Sequence, residues 1–422
     1  MRAMLAAALL TSVLALAPAG CTARRHTSVP SLRLASVPVP QPGARSGLDG
    51  IASVGTHGAW AVGAYQPSSS PSDLTEALHW DGQRWRVVAT PDPCCGWSHL
   101  FAVAGEASDD AWAVGTYAPS NGGWPNLPFR TLAEHWNGST WSIVPTPTVG
   151  EGASTLLGVT VLSSTDAWAV GGSYDGRISW DDLQCEHTAH ILILHWDGTA
   201  WHAVPSPDPG KVASFVQPCG PSHPLTTVNV LSAVSATGPR DVWAVGHFWN
   251  GSANRTLVLH WNGARWAVVL SPNASVRENV LYGVAAVSSG DVWAVGTYEQ
   301  ATGGHRTLTE NWNGRAWHRV PSPNVGGQDN LLFAVAGRSA VSVWAVGRHG
   351  GGDGGPLAEH WNGTRWEIVP SQEVSPGCRC SDSFNGVATS SHGVWVAGEY
   401  LGGSVHESLV ETSMLNGGAG PR

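Results

Sequence analysis

Lysine is almost missing from this chain: Lys211 is the only one in 422 residues, and charged side chains make up just 13%. With a formal charge of −9 and no cluster of cations, phosphate neutralisation has nothing to work with, so a nucleic-acid partner is not expected. Methionine is also scarce, at three. After residue 20 no apolar run is long enough to span a bilayer as a helix, and no stripe of period 3.6 appears. Those absences leave an all-β body. GxSxG, HExxH, a Walker loop and a dinucleotide fingerprint are missing too, so the chemistries that rest on those spacings are not indicated, and neither a cofactor nor a metal is expected.

What is abundant is glycine (52) and tryptophan (23), a balance suited to tight turns and aromatic filling between sheets. Residues 281–323 show the unit from which nearly everything else is copied. Four short runs of β-formers, 281–287, 292–296, 307–312 and 317–321, are each bounded by Gly, Ser, Asn, Asp or Pro, which reads as four strands a to d with turns between them. The second run returns around Trp60, Trp112, Trp168, Trp243, Trp293, Trp344 and Trp395, about every 50 residues outside a longer third copy. Seven copies of a four-stranded unit predict a seven-bladed β-propeller. In strand a the third place is always Gly or Ala, as at Gly50, Ala102 and Gly158, which fits innermost strands crowding one another. Asp110, Asp166, Asp241 and Asp291 stand before strand b and read as turn formers bonding their own backbone. Strand b reads as ending in Gly, followed shortly by an aromatic residue or His. Strands c and d flank an Asp-Gly or Asn-Gly pair, a two-residue hairpin signal, with tryptophans that would clamp the turn.

The glycine at the end of strand b, the aromatic soon after it and the W-x-x-V strand about twenty residues on resemble Kelch repeats, and the Asp/Asn-Gly-x-x-Trp turn resembles an Asp-box of bacterial propellers. The resemblance covers 32–417 and implies a propeller. The copies lack the Ser or Thr opening of an Asp-box and the paired glycines of most Kelch repeats, so neither family's catalytic residues transfer to a position here.

Arg2, the apolar run 4–17 and Pro18-Ala19-Gly20-Cys21 have the layout of an export signal over 1–20. The last four residues resemble a bacterial lipobox. That implies lipidation of Cys21 and attachment to the outer face of the cell membrane, with simple secretion as the alternative. Residues 21–31 read as a tether, 32–417 as the propeller and 418–422 as a tail. Six further cysteines suit disulfides in an oxidising compartment. Cys185 with Cys219 is expected because both lie in enlarged loops of the third copy, and Cys94 with Cys95 and Cys378 with Cys380 are the remaining pairings.

Function belongs where the copies disagree. The variable second residue of strand a (Asp49, Phe101, Ser232, Tyr282, Phe333, Asn385) is expected to open onto the channel mouth, beside the long loop residues Trp180, Asp181 and His187. Trp97, His99, Trp124, Arg130, Asp182, His190, His223, Trp249, Glu278 and His305 share that face, and Asp181, Asp182, Glu186, His187 and His190 could in principle meet a divalent cation. The repeated tryptophans, each contributing roughly 4–6 kcal/mol gross on burial, read as core rather than as sugar platforms. Likewise the repeated histidine before the second tryptophan, as at His135, reads as a structural hydrogen-bonder. The leading expectation is a non-catalytic, monomeric binding propeller for a glycan, peptide or protein. The alternatives are an extracellular hydrolase or lyase working through paired carboxylates, and an envelope assembly factor.

Overall fold

In a computed structural model of the chain, the structure describes residues 32–70, 72–93, 97–118, 129–150, 152–175, 188–210, 229–350, 354–371, 382–402 and 405–414. The export signal, the tether, all seven cysteines and Trp180, Asp181 and His187 lie outside these residues.

The described chain is a seven-bladed propeller. Blades 2 to 6 begin with strand a at Ser98–Ala107, Ser154–Ser163, Val230–Gly238, Asn279–Ser288 and Asn330–Ser339, and each continues as an antiparallel meander of four strands. Blade 1 comprises Arg45–Val54, Gly58–Gln66, Leu74–Trp80 and Trp85–Val87. Strand a of every blade packs against strand a of the next, and that of blade 7 (Ser383–Thr389) returns to blade 1, so the ring is closed.

Strand a carries the device that shapes the channel. In each blade its register with strand b slips by one residue, between Leu48 and Gly50, Leu100 and Ala102, Leu156 and Gly158, Leu231 and Ala233, Leu281 and Gly283, Leu332 and Ala334, and Phe384 and Gly386. This is a β-bulge, in which one residue has no partner on the neighbouring strand. The bulge explains the glycine of strand b, which lies within the strand rather than at its end as the sequence suggested. A Cβ on Gly63, Gly115 or Gly296 would overlap the carbonyl oxygen of Gly47, His99 or Val280. The small third residue has a separate cause, as expected: a Cβ on Gly50 would stand 2.9 Å from the Cα of Ala102 in the next blade.

Between blades the tryptophans form the core. Trp112 of blade 2 packs on its own His135 at 4.6 Å and on Trp196 and Trp201 of blade 3 at 4.8 and 4.9 Å. The same arrangement joins Trp60 to Trp136 and Trp141, Trp168 to Trp261 and Trp266, Trp243 to Trp312 and Trp317, Trp293 to Trp361 and Trp366, and Trp395 to Trp80 and Trp85. Each strand-d ring stands at 78–88° to its partner from the preceding blade, which sets the positive edge of one indole against the negative face of the other. The pair meets across its own hairpin as expected, at 5.8–6.1 Å, and also clamps two blades together.

Two local readings are corrected. The aspartates before strand b hold strand c rather than their own backbone: Asp110, Asp166 and Asp241 lie 2.8, 2.9 and 2.7 Å from Nε2 of His135, His195 and His260, and Asn311 Nδ2 donates to Asp291 at 2.7 Å, while Asp241 also accepts from the Thr237 hydroxyl of its own turn. A side chain across the sheet offers the carboxylate a better donor than the turn does. The c–d connection has four residues, not two. In 81–84 the Asp81 amide donates to the Arg84 carbonyl, while the Asp81 side chain accepts from the amides of Gln83 and Arg84 at 2.9 Å, and Gly82 takes the positive φ.

Closure uses the N-terminal segment. Blade 7 has strands Ser383–Thr389, Gly393–Gly402 and Val405–Met414, and its fourth strand is Ala35–Ser36, paired Ala35 to Thr412 and Ser36 to Glu411. In blade 2 the equivalent pairs are His135 with Ser142 and Glu134 with Ile143, so Leu34 occupies the place of the strand-d tryptophan Trp141. Leu34 is buried, its amide donates to the Pro370 carbonyl of blade 6 at 3.0 Å, and the Val37 amide donates to the Val410 carbonyl at 2.8 Å.

Candidate functional site at the channel mouth

The bulged residues are Asp49, Phe101, Leu157, Ser232, Tyr282, Phe333 and Asn385, and all are half-buried in a ring of otherwise buried strands. With no partner on strand b, each side chain is free to differ from blade to blade while the frame stays the same. Leu157 belongs to the set by geometry, beside the six singled out by sequence.

Around the channel mouth that the sequence predicts at these residues, their neighbours form two arcs. On blades 5 and 6, Tyr282 and Phe333 meet edge to face at 5.7 Å. Burial, then the charge of Glu278, pushes the Tyr282 hydroxyl up to about 12, so it stays a neutral donor. On blades 7, 1 and 2 the arc is ionic. His99 Nε2 lies 2.6 Å from Asp49 Oδ2, and its ring stacks on Phe101 at 4.5 Å with an interplanar angle of 17°. Burial alone would lower the His99 pKa, but Asp49, with Asp73 and Glu399 beyond it, raises it. Glu399 leans from blade 7 over Gly47 of blade 1, where a Cβ would come 3.2 Å from its Oε2. Burial, then the Asp49 carboxylate, raises the Glu399 pKa, against the opposing charges of His99 and Arg348. Asn385 Nδ2 donates to the Leu48 carbonyl at 3.0 Å and ties blade 7 to blade 1 beneath this group.

Glu399, Arg348 and His247 were missed by sequence reasoning. All three occupy the place after the strand-b glycine, where other blades have Ala64, Thr116, Gly172 or Thr297, and that variation was the available signal. Other residues of the same face hold loops rather than face a ligand. Arg130 Nη1 donates to the Gly152 carbonyl at 2.8 Å, and Arg255 and Arg306 grip the carbonyls of Arg277 and Gln328 in the same way. Trp97 Nε1 donates to Asp73 at 2.6 Å, His190 pairs with Asp208 at 2.9 Å, and Asp329 accepts from the His305 amide at 2.7 Å. Among the described residues no three His, Cys, Asp or Glu side chains are placed to hold a metal ion. Of the possible cation group, only His190 falls among them.

No protein-family model matches the chain, and no characterised protein matches it in sequence. Among solved structures it is similar to YCF48 bound to D1 peptide, with a TM-score of 0.51 and 13% identity over 92% of this chain and 100% of that one. Looser likenesses are to an ulvan lyase bound to a sulfated disaccharide (TM-score 0.47, 10% identity, 89% of this chain and 95% of that one) and to the SapL1 lectin in complex with alpha methyl fucoside (0.43, 15%, 80% and 99%). At these identities the likeness is one of fold, a propeller of repeated four-stranded blades.

Proposed function

We propose that the chain is an exported binding propeller, held at the outer face of the membrane through Cys21 or secreted, that takes a glycan, peptide or protein segment at the channel mouth without catalysis. One observation carries this reading: a bulge at the same place in every blade presents seven largely different side chains on one rigid frame. Repetition supplies the scaffold, and the bulges supply specificity. The edge-to-face pair Tyr282 and Phe333 offers an apolar wall, opposite in character to the ionic arc around Asp49.

The test is a glycan and peptide array probed with the wild-type protein and with Tyr282→Ala/Phe333→Ala. Peptides belong on it because YCF48, with the same fold, was solved with one bound. Binding should fall at least tenfold in the double variant while the melting temperature stays within a few degrees. A large loss of stability with unchanged binding would place the two rings in the core and end this reading.

A specific feature favours a second reading, hydrolase or lyase. Asp49 and Glu399 come from different blades yet lie close enough for one to raise the pKa of the other, with His99 between acid and aromatic ring. Every array hit would therefore be assayed for cleavage. Turnover abolished by Asp49→Asn or Glu399→Gln, with binding retained, would replace the binding reading by the enzymatic one.

A further inference from the structure

Three carboxyls buried between blades take no part in the mouth. Glu134, Glu310 and Glu359 each stand just before the His or Asn of strand c, are 0% exposed, and among the described residues no donor lies within hydrogen-bond geometry of either oxygen. By strand alternation they lie in the seams between blades 1 and 2, 4 and 5, and 5 and 6, on the face that also buries Leu132, Leu308 and Leu357. The same place holds Leu78 in blade 1, Leu194 in blade 3 and Leu259 in blade 4, also fully buried. The fold thus accepts hydrocarbon there. Two further buried carboxyls do have hydroxyl donors: Ser408 reaches Glu76 at 3.4 Å, and Ser36 of the closing strand reaches Glu411 at 3.3 Å.

We propose that Glu134, Glu310 and Glu359 form a pH-sensitive latch of the ring, closed while they are protonated and opened when they ionise. Blade 5 has such a carboxyl in both of its seams, so it loosens on both sides, and Tyr282 with it; Glu76, raised by burial to about 8 despite its Ser408 donor, adds to the loss in the seam between blades 7 and 1. An ionised carboxylate sealed in an apolar seam loses its hydration with nothing to replace it. The protonated form packs there as leucine does elsewhere.

The facing groups do not offset that cost. Among the described residues Glu134 meets only the like charge of Asp92, and Glu359 meets no charged group that shifts it. Arg319 and Ser271 bear on Glu310, but the Ser271 hydroxyl is spent on Thr256 at 2.8 Å. His247, on the face of blade 4 toward blade 5, is kept neutral by burial, which pushes its pKa down to about 4. Burial raises Glu310 from 4.5 to about 8 and holds Glu134 and Glu359 well above the usual carboxyl range. With folded values above the unfolded one, the stabilisation is complete below about pH 4.5. It is lost as pH rises through about 8 for Glu310, and through the raised values of the other two. Neutral histidines such as His247 oppose this on the acid side only, below about pH 6.5.

The test compares the melting temperature of the full chain between about pH 6.5 and about pH 9.5 with that of E134L/E310L/E359L and of the matching triple Gln variant. Wild type should melt lower at each alkaline step, and both variants should be flatter, with the Leu variant above wild type at the alkaline end. A wild-type curve that is level or rising over that range, or variants that run parallel to it, would overturn the latch. Should the Leu variant fail to fold, hydrogen exchange of the wild type gives the answer. After correction for the intrinsic rate, exchange in blade 5 (279–319) should rise with pH more than in the described strands of blade 3, and equal rises would overturn the proposal.

Discussion

The outer part of each seam and the inner mouth of the ring are built from the same seven repeats, yet they have diverged to opposite degrees. In the seams, a strand-b tryptophan meets two indoles of the next blade in six of the seven copies. At the mouth the residue in the bulge is acidic in blade 1, aromatic in blades 2, 5 and 6, aliphatic in blade 3, and a hydroxyl or amide in blades 4 and 7. A buried ring has neighbours on every side, so a change costs packing in two blades at once. A bulged residue has no strand partner and is only half-buried, so changing it costs less. Divergence at the mouth is where selection for a ligand could act without unmaking the fold.

The seam between blades 6 and 7 breaks the rule, because Leu34 and Ser413 stand where other blades have tryptophans. It relies instead on backbone pairing by a segment remote in sequence. The largest effect should therefore come from deleting residues 31–42. This removes the fourth strand of blade 7, the Val37–Val410 and Leu34–Pro370 hydrogen bonds and the Ser36 donor to Glu411, and several kcal/mol of stability should go with them. Chemical denaturation reads this directly. A truncated chain that unfolds at the wild-type midpoint would mean that the ring is held without its closing strand.

Next in size is Trp112→Ala. The ring is fully buried between His135, Trp196 and Trp201, and its loss should cost about 3–5 kcal/mol, at the level of large aromatic truncations in cores. Ligand binding at permissive temperature should persist, since the ring partners His135, Trp196 and Trp201 are not mouth residues. A cost below about 1 kcal/mol would show that the aromatic layer can relax and would weaken the contrast with the mouth.

Much of the fold was legible from the repeats, and the reasons show why the site was less so. Tight turns and the crowding of strand a write themselves into glycine positions that recur seven times, and the closing strand could be found because Val37-Pro38-Val39-Pro40 matches the end of strand d. A bulge leaves no such mark: in one strand it looks like ordinary alternation, and only pairing to strand b reveals that Asp49 or Tyr282 is the extra residue. The meeting of Glu399 with Asp49 depends on ring closure, which brings positions some 350 residues apart into adjacent blades. The Asp110–His135 bridges were misread as turn chemistry because each partner has an adequate local explanation alone. The buried carboxyls did leave a trace, in the Glu before the His or Asn of strand c at Glu134, Glu310 and Glu359, where blades 1, 3 and 4 have Leu and blade 7 has Glu411.

The smallest stability effect, and the sharpest probe of the mouth, is Asp49→Asn. Asp49 is about a third exposed and His99 about a fifth, so solvent screens their 2.6 Å contact and its loss should cost roughly 1 kcal/mol or less near pH 6. The sign of the pH dependence is fixed by His99. Its folded pKa is raised above 6.5, so the contact's contribution is fully present below that pH and fades as pH rises through the folded value. Wild type and variant should accordingly differ most in mild acid and converge in alkali. An NMR titration of the His99 ring should show its pKa drop when the Asp49 charge is removed, while His247, buried in another blade, keeps its depressed value. If the His99 pKa stayed where it was, Glu399 and Asp73 would be the charges that hold the proton. The ionic arc would then be centred on Glu399 of blade 7 and on Asp73, just before strand c of blade 1, rather than on the bulge of blade 1, and the claim that the bulged positions carry the specificity of the mouth would fail at its most polar point.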